Sequence, residues 1–274
     1  MSLTTRTVLE EYSSDDAVRR YSNKTAGFGI NYLLDHDYGD IYLAVLRNHL
    51  SARIGRGLRL LEFGCGAGMN LIHLLRVLSR EKLPVEAAYG TDLSERLICE
   101  ASRERAALPP ELACVRFFFG RNEELIGDMT RGLRIDRSEL LNTFHLIIGV
   151  NTFRYCHRLK KDKECAGDIY DLLAPGGVCV IIDMNHKFPM FRSRVHDRIH
   201  KTAEERYLPT LKEYAAPFGA VGFEVLDQRN FCWIPHSAGP ALAGTFRTLT
   251  PILNLVAPSF AMRSLVIARK PKVN

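Results

Sequence analysis

A short segment in the first third of the chain combines residue types that suit the binding of a nucleoside. Residues 58–70 read LRLLEFGCGAGMN, an apolar run that carries Glu62 and continues into three alternating glycines, Gly64, Gly66 and Gly68. Glycine tolerates positive φ and lets a ligand approach the main chain closely. A second acid, Asp92, follows the next apolar segment, and the two acids frame the turn as a nucleoside site requires. A glycine turn without a ligand is the alternative interpretation.

Two further segments place polar groups at the ends of predicted strands, where ligands of open α/β sheets bind. Asp92 closes the sequence Gly-Thr-Asp, and its carboxylate can accept hydrogen bonds from both hydroxyls of a ribose. The same residue could instead cap the following helix. Asn122, in the sequence Gly-Arg-Asn at residues 120–122, can donate and accept at the edge of an adenine ring.

The elements that must position these residues alternate between strand and helix, which predicts an α/β fold with helices on both faces of a largely parallel, doubly wound sheet. We expect strands at residues 59–63, 85–91, 113–119, 144–150, 177–183, 222–234 and 262–270. Helical composition or period predicts helices at residues 69–79, 94–107, 123–130, 162–173 and within 196–216.

The glycine spacing argues against two common nucleotide-binding loops. The dinucleotide fingerprint G-x-G-x-x-G needs its third glycine one position later, where this chain has Met69. A P-loop would continue with Gly-Lys-Ser or Gly-Lys-Thr, which does not follow here. The pattern instead suits a ligand that has no pyrophosphate and whose amino-acid portion lies along the turn.

Four motifs resemble those of the class I S-adenosylmethionine-dependent methyltransferases: residues 60–68 (LLEFGCGAG), 90–94 (GTDLS), 144–151 (FHLIIGVN) and 172–177 (LLAPGG). The resemblance covers residues 58–183 and implies a Rossmann-like methyltransferase fold of seven strands, the last one antiparallel between its neighbours. It also implies S-adenosyl-L-methionine as cofactor and S-adenosyl-L-homocysteine as product.

By this resemblance Glu62 and the glycine turn would hold the methionine portion, Asp92 the ribose, and the loop at residues 120–122 the adenine. Many family members have an acid in that loop, where this chain has Arg121 and Asn122. The predicted cofactor-binding residues are Glu62, Gly64, Cys65, Gly66, Gly68, Asn70, Asp92, Leu93, Arg121, Asn122, Val150 and Asn151.

Methyl transfer from a sulfonium requires the acceptor to be aligned within about 3–3.5 Å of the methyl carbon. Its proton, where it has one, must pass to a base. His157 follows the fourth predicted strand and is the first candidate for that base, because imidazole titrates near neutral pH; a solvent-facing histidine is the alternative. The other predicted catalytic residues are His186 and Tyr21, and the predicted substrate-binding residues are Tyr32, Arg154, Tyr155, Asn185 and His236, the last of which could also be the base.

Composition narrows the class of protein. The 274 residues include seven cysteines with no Cys-x-x-Cys pair, which argues against disulfides and a zinc ribbon and favours a reducing, cytoplasmic compartment. The net charge of +6 is spread along the chain, so a nucleic-acid partner is not favoured. We expect no metal, no signal peptide and no membrane span, and either a monomer or a homodimer.

These observations predict two regions: an amino-terminal helical lid at residues 1–55, and a cofactor-binding domain at residues 56–274 with an insert at about residues 235–259. The lid and the insert would together cover the site, which favours a small-molecule acceptor with an oxygen, nitrogen or carbon nucleophile. Two alternatives stay open: a cofactor-binding subunit or sensor without activity, and a methyltransferase acting on RNA or protein.

Overall fold

The computed structural model describes residues 12–15, 18–19, 28–51, 56–189, 208–235 and 238–272. Its centre is a seven-stranded sheet with the order β3-β2-β1-β4-β5-β7-β6. The strands are β1 (Leu58–Phe63), β2 (Val85–Asp92), β3 (Val115–Phe119), β4 (Phe144–Val150), β5 (Leu173–Met184), β6 (Glu224–Phe231) and β7 (Arg263–Arg269). The first five strands are parallel, and β7 lies antiparallel between β5 and β6. This confirms the predicted fold.

Helices connect and cover the strands. They are α1 (Phe28–Leu33), α2 (Gly39–His49), α3 (Met69–Arg80), α4 (Glu95–Ala106), α5 (Leu125–Leu133), α6 (Arg137–Leu140), α7 (Phe153–Arg158), α8 (Asp162–Leu172), α9 (Leu211–Ala220) and α10 (Pro240–Val256), with a π-helical turn at Leu34–Tyr38. Short 3-10 turns lie at Pro110–Leu112, Asn122–Glu124 and Pro258–Phe260. No helix of the described part of the chain combines the length and apolar character needed to cross a membrane.

Helices bury the sheet on both faces. Successive side chains of a strand point to opposite sides, so neighbouring residues pack into different cores. Leu60 packs into a core with α2 and α3, whereas Leu61 packs into a second core with α5, α8 and α9. The continuous apolar sequence FHLIIGV of β4 is typical of a parallel strand covered on both sides.

Helix α2, which belongs to the predicted lid, packs against the sheet as part of the core. Tyr42, Val45 and Leu46 of α2 are buried in the core against the sheet. Helix α2 is therefore one of the layers of the fold. The division into a lid at residues 1–55 and a domain at residues 56–274 stays a prediction.

The remaining differences concern element boundaries. The sixth strand ends at Phe231 rather than continuing to residue 234, because Cys232 takes a left-handed φ of 63° that breaks the extended chain. The third strand begins at Val115 rather than residue 113, after the 3-10 turn that starts at Pro110. Within residues 196–216, only α9 falls in the described part of the chain.

Candidate active site

The glycine turn after β1 has the backbone that its composition predicts. Gly64, Gly66 and Gly68 have φ values of +61°, +55° and +80°. A Cβ on Gly64 would collide with the side chain of Thr152, and one on Gly68 would lie 2.7 Å from the ring of Phe117. A Cβ on Gly66 would meet nothing within 4 Å. Two of the glycines thus allow close packing, and Gly66 alone leaves open space next to the main chain.

That open space belongs to a cleft at the carboxyl ends of the parallel strands. The cleft encloses about 1280 Å³ including its open mouth. It is lined by twelve of the residues predicted for cofactor or substrate, namely Gly64, Cys65, Gly66, Asn70, Asp92, Leu93, Arg121, Asn122, Val150, Asn151, Arg154 and Tyr155. Motifs distant in the sequence therefore converge on one site.

We divide this cleft into two halves. The turn half comprises residues 64–67, Met69, Asn70, Asp92, Leu93, Arg121 and Asn122, at the ends of β1, β2 and β3. The tyrosine half comprises Tyr12, Arg154, Tyr155, Met184 and Arg263.

Glu62 lies behind the turn half and does not line the cleft. Its side chain is fully buried, and its two oxygens accept hydrogen bonds from Asn70 Nδ2 at 3.0 Å and from the Leu71 amide at 2.9 Å. Burial raises the pKa of Glu62 to about 8, against the opposing effect of these two hydrogen bonds. In this structure the residue ties the end of β1 to the first turn of α3. Gly68, which precedes that helix, also lies outside the lining of the cleft.

Asp92, at the end of β2, connects the glycine turn after β1 to the start of α4. One carboxylate oxygen accepts the amide of Gly66 and the other accepts the amide of Ser94, both at 2.8 Å. Burial raises the pKa of Asp92, while these two amides act in the opposite direction. Ser94, not Asp92, is the N-cap of α4, since its hydroxyl accepts from the Leu97 amide. Asp92 lines the cleft, and its carboxylate holds the amide of Gly66 in the glycine turn.

The loop after β3 closes the turn half. Asn122 donates from Nδ2 to Thr152 Oγ1 at 2.7 Å, which connects this loop to the end of β4. Arg121 donates from its amide and from Nε to Asp128 at 2.8 and 3.0 Å, and also pairs with Glu124. The guanidinium of Arg121 thus lines the cleft with two carboxylates as its partners.

A buried ion pair supports the tyrosine half. Asp183, which is fully buried near the end of β5, accepts the amide of Arg154 at 3.0 Å and its Nη1 at 2.8 Å. The same guanidinium donates from Nη2 to the Tyr155 hydroxyl at 2.9 Å and lies over the Tyr155 ring. Because a guanidinium only donates, the oxygen of Tyr155 acts as acceptor there and its proton points away from Arg154.

Tyr12 bridges the two halves. Its carbonyl accepts a hydrogen bond from the Ser94 hydroxyl at 3.1 Å, and its own hydroxyl is in hydrogen-bond contact with that of Tyr155. The two rings meet edge to face with centroids 5.6 Å apart. The chain at Tyr12 therefore spans from the start of α4 to α7 and narrows the mouth of the cleft.

Ten residues of the cleft were not among the predicted site residues, and they include Tyr12, Thr152, Met184 and Arg263. Arg263 is the first residue of β7, lies opposite Met184 in the sheet register and donates to Asn151 Oδ1 at 3.1 Å. Arg263 reaches the site only because the last strand pairs antiparallel with β5, and no local sequence pattern specifies the register of that pairing. The aromatic content of residues 12–42 was the only signal for Tyr12, and nothing in the sequence pointed to Thr152.

Several predicted residues lie elsewhere, and their expected roles need correction. His157 is two positions after Tyr155 on α7, which turns it to the opposite side of the helix, where Nδ1 lies 2.7 Å from Asp162 Oδ2. His186 lies in the turn after β5 and does not line the cleft. We therefore assign neither histidine a role as base.

The other placements concern the predicted substrate contacts. Tyr32 contacts His36 with ring centroids 4.4 Å apart and the ring planes tilted by 55°, and it packs against the apolar cluster beside α10. Asn185 is buried and donates to the carbonyls of Ser259 and Ala261 at 2.8 and 2.6 Å, so it anchors the insert to the end of β5. Tyr21 and His236 lie outside the described residues. No group of three or more His, Cys, Asp or Glu side chains in the described chain could hold a metal ion.

The predicted insert is the helix α10 with its flanking turns. Helix α10 packs beside α1, and none of its residues lines the cleft. The expectation that it forms a wall of the substrate site is not met by the described residues, because the cluster around Ala243 and the hydrogen bond from Asn185 to Ser259 hold it outside the cleft.

The strand order, the antiparallel β7 and a glycine turn at the carboxyl edge define the Rossmann-like methyltransferase fold. Residues 36–239 match a family model described as a methyltransferase domain, and the chain belongs to this family. The family and the fold indicate S-adenosylmethionine as the cofactor. No curated protein sequence matches the chain.

Solved structures agree in fold. Phosphoethanolamine N-methyltransferase 2 of Haemonchus contortus, in complex with S-adenosyl-L-methionine, is 16% identical with a TM-score of 0.58, over 99% of this chain and 61% of that one. Magnesium protoporphyrin IX methyltransferase of Synechocystis PCC 6803, with the same molecule bound, is 12% identical with a TM-score of 0.57, over 98% of each chain.

A third structure is a complex between the Haloferax volcanii Trm112 methyltransferase activator and a methyltransferase. It is 15% identical with a TM-score of 0.58, over 97% of this chain and 99% of that one. At these identities the likeness concerns the fold alone.

Proposed function

We propose that this protein transfers the methyl group of S-adenosylmethionine to a small-molecule acceptor by in-line displacement. The observation that carries the proposal is the cleft itself: the backbone-lined turn half faces a tyrosine half built from buried polar side chains. The open space at Gly66 suits close approach of a nucleoside-linked amino acid to the main chain.

In this proposal the turn half binds the cofactor. Asp92 accepts hydrogen bonds from the ribose hydroxyls, because its carboxylate lines the cleft and each oxygen has capacity beyond the one amide that it already accepts. Gly64, Cys65 and Gly66 lie along the methionine portion, and Leu93 and Asn122 lie beside the adenine. Glu62 acts indirectly, by holding Asn70 and the start of α3 in place.

The tyrosine half receives the acceptor. Arg154 is held by Asp183 and in turn donates to the Tyr155 hydroxyl, which fixes the position of that oxygen in the wall of the cleft. Tyr12 narrows the mouth above it. A cleft whose mouth is narrowed in this way favours a small molecule over a folded protein or RNA, whose approach needs an open rim.

The experiment has two stages. Calorimetry first measures binding of S-adenosylmethionine and S-adenosylhomocysteine to the purified chain. The chain is then incubated with cofactor carrying a labelled methyl group and, separately, with a metabolite extract, an RNA fraction and a protein fraction. Gly66→Ala, which places a methyl group in the open space, provides the control for transfer that does not depend on the cleft.

We expect cofactor binding and labelling of the metabolite fraction alone. Binding without transfer to any fraction would favour a cofactor-binding subunit or sensor. Transfer to the RNA or protein fraction would replace the small-molecule acceptor with a macromolecular one. Absence of binding would contradict the proposal as a whole.

A further inference from the structure

The end of β4 lies at the boundary between the two halves of the cleft. In the sheet, β4 pairs on one side with β1, which leads into the glycine turn, and on the other side with β5, which carries Asp183. Asn151 directly follows β4 and lines the cleft. In the proposed function, cofactor and acceptor meet at this boundary, because the acceptor atom must come within about 3–3.5 Å of the methyl carbon. Asn151 is the polar side chain at that meeting point.

The backbone and the side chain of Asn151 are both held in place. Its amide donates to the carbonyl of Ile182 in β5 at 2.7 Å. Its φ of +56° lies in the left-handed region, which asparagine adopts more readily than most residues do. Its Oδ1 accepts a hydrogen bond from Arg263 Nη1 at 3.1 Å. Because a guanidinium only donates, the oxygen of the Asn151 side chain must face Arg263, and the nitrogen must face away from it.

This orientation leaves a hydrogen-bond donor in the lining of the cleft. Asn151 Nδ2 donates to no group of the described chain, and it is not one of the buried polar atoms that lack a partner. It carries two N–H groups and cannot accept. A ligand atom that meets Asn151 Nδ2 must therefore accept a hydrogen bond, which an oxygen anion does and an ammonium group does not.

The charged groups of the tyrosine half favour an anionic acceptor. Both charged side chains of its lining, Arg154 and Arg263, are guanidinium groups, and the carboxylate of Asp183 lies buried behind Arg154. An alcohol, a phenol or an ammonium acceptor carries a proton that must pass to a base, whereas a carboxylic acid is already ionised at neutral pH. A carboxylate therefore suits the donor at Asn151 and needs no base.

We propose that the acceptor is the carboxylate of a small organic acid, that Asn151 Nδ2 donates to one of its oxygens, and that Arg263 orients Asn151 for this contact. The inference rests on the proposed function and narrows its acceptor. The other carboxylate oxygen attacks the methyl carbon, so that a C–O bond forms and the C–S bond breaks with its electron pair going to sulfur. The sulfonium becomes the neutral thioether of S-adenosylhomocysteine, the carboxylate becomes a methyl ester, and no proton is transferred.

The test uses the lability of a methyl ester in alkali. The full chain is incubated with S-adenosylmethionine labelled in the methyl group and with the metabolite extract, and the labelled products are then treated with mild alkali. Alkali hydrolyses a methyl ester to volatile methanol, whereas it leaves a methyl ether, a methylamine or a methyl group on carbon intact. Labelled methanol collected from the vapour therefore measures ester formation alone.

Two variants remove the proposed donor. Asn151→Asp replaces Nδ2 by a carboxylate oxygen, and Asn151→Gly removes the side chain at a positive φ that glycine adopts readily. Asn142→Asp is the matched control: Asn142 has a φ of +61° and its Oδ1 also accepts from a cation, Lys270 Nζ at 2.7 Å, but it precedes β4 and lies outside the cleft. Calorimetry with S-adenosylhomocysteine shows whether each variant keeps a folded cofactor site.

We expect alkali-labile label from the unchanged chain and from Asn142→Asp. Both Asn151 variants should form ester at least about tenfold more slowly while their affinity for S-adenosylhomocysteine stays within about twofold. Label that resists alkali would overturn the carboxylate and leave the proposed function in place. Equal ester formation in all variants would overturn the role of Asn151, and a parallel loss of S-adenosylhomocysteine affinity would do the same by assigning Asn151 to the cofactor. Absence of label in every fraction would contradict the proposed function itself, and this inference with it.

Discussion

The two halves of the cleft are built by different means. The turn half owes its shape to the main chain: three glycines at positive φ, with amides that Asp92 and Glu62 hold in place. The tyrosine half owes its shape to side chains, since Asp183 holds Arg154 and Arg154 holds Tyr155. A main-chain site should fail when an atom is added to it, and a side-chain site should fail when a partner is removed.

Removal of Asp183 is expected to give the largest effect, because it leaves the Arg154 guanidinium, whose side chain is only 13% exposed, without its carboxylate. Breaking one partner of a buried ion pair costs about 3–5 kcal/mol. We therefore expect Asp183→Ala to lower the free energy of unfolding by about that amount in urea denaturation. Adding Arg154→Met should recover part of the loss. A double variant no more stable than the single variant would show that the pair does not support this half.

The turn half should respond to pH through Glu62. Its pKa in the folded chain is about 8, against an ordinary value of 4.5, so between these values the folded state binds more protons than the unfolded state. The contribution of Glu62 to stability is then largest below pH 4.5 and falls as pH rises towards 8, with a slope that approaches about 1.4 kcal/mol per pH unit.

Glu62→Gln should flatten this slope between about pH 5 and 8 in urea denaturation. Glu86→Gln is the control, since Glu86 is an exposed residue that undergoes the same chemical change. An equal slope in the unchanged chain and Glu62→Gln would show that the buried carboxyl does not titrate in this range.

Asp92→Ala tests the contact proposed for the ribose. Each hydrogen bond to a charged group contributes about 1.5–3 kcal/mol, so loss of one or two such bonds should weaken S-adenosylhomocysteine binding by at least about tenfold. Calorimetry measures the change, and Glu95→Ala provides a control three residues along the chain, at an exposed position outside the cleft. Unchanged affinity in Asp92→Ala would refute the ribose contact.

The contrast between the halves also explains what the sequence could predict. The turn half depends on local spacing. Its residues Gly64, Cys65, Gly66, Asn70, Asp92 and Asn122 could be identified because motifs at strand ends meet at one edge of a parallel sheet. The seven strands and the antiparallel β7 were implied by the family resemblance. The seven-stranded sheet was therefore predictable, apart from the ends of β3, β5 and β6.

The tyrosine half depends on contacts between residues far apart in the chain. Tyr12 and Tyr155 are separated by 143 positions, and Asn151 and Arg263 by 112. The sequence favoured His157 as base by residue type alone, without helix phase, and the structure places Tyr155, two positions earlier, in the lining of the cleft instead. The sequence shows Asp183 as an acid at the end of a strand. Its pairing with Arg154 could not be predicted, because it depends on how α7 follows β4.

Adding a single carbon atom to the turn half gives the sharpest test of the difference between the two halves. In Gly66→Ala the new methyl group meets no protein atom within 4 Å, so the fold should lose only the cost of a non-glycine residue at a φ of +55°, about 1–2 kcal/mol. Gly222→Ala is the matched control: it also has a positive φ, of +99°, its nearest neighbour lies 3.8 Å away, and it is outside the cleft. Calorimetry should show S-adenosylhomocysteine binding weakened by about tenfold or more in Gly66→Ala and unchanged in Gly222→Ala. If both variants bind as the unchanged chain does, the ligand does not run along the main chain at Gly66, and the turn half would owe its specificity to side chains, as the tyrosine half does.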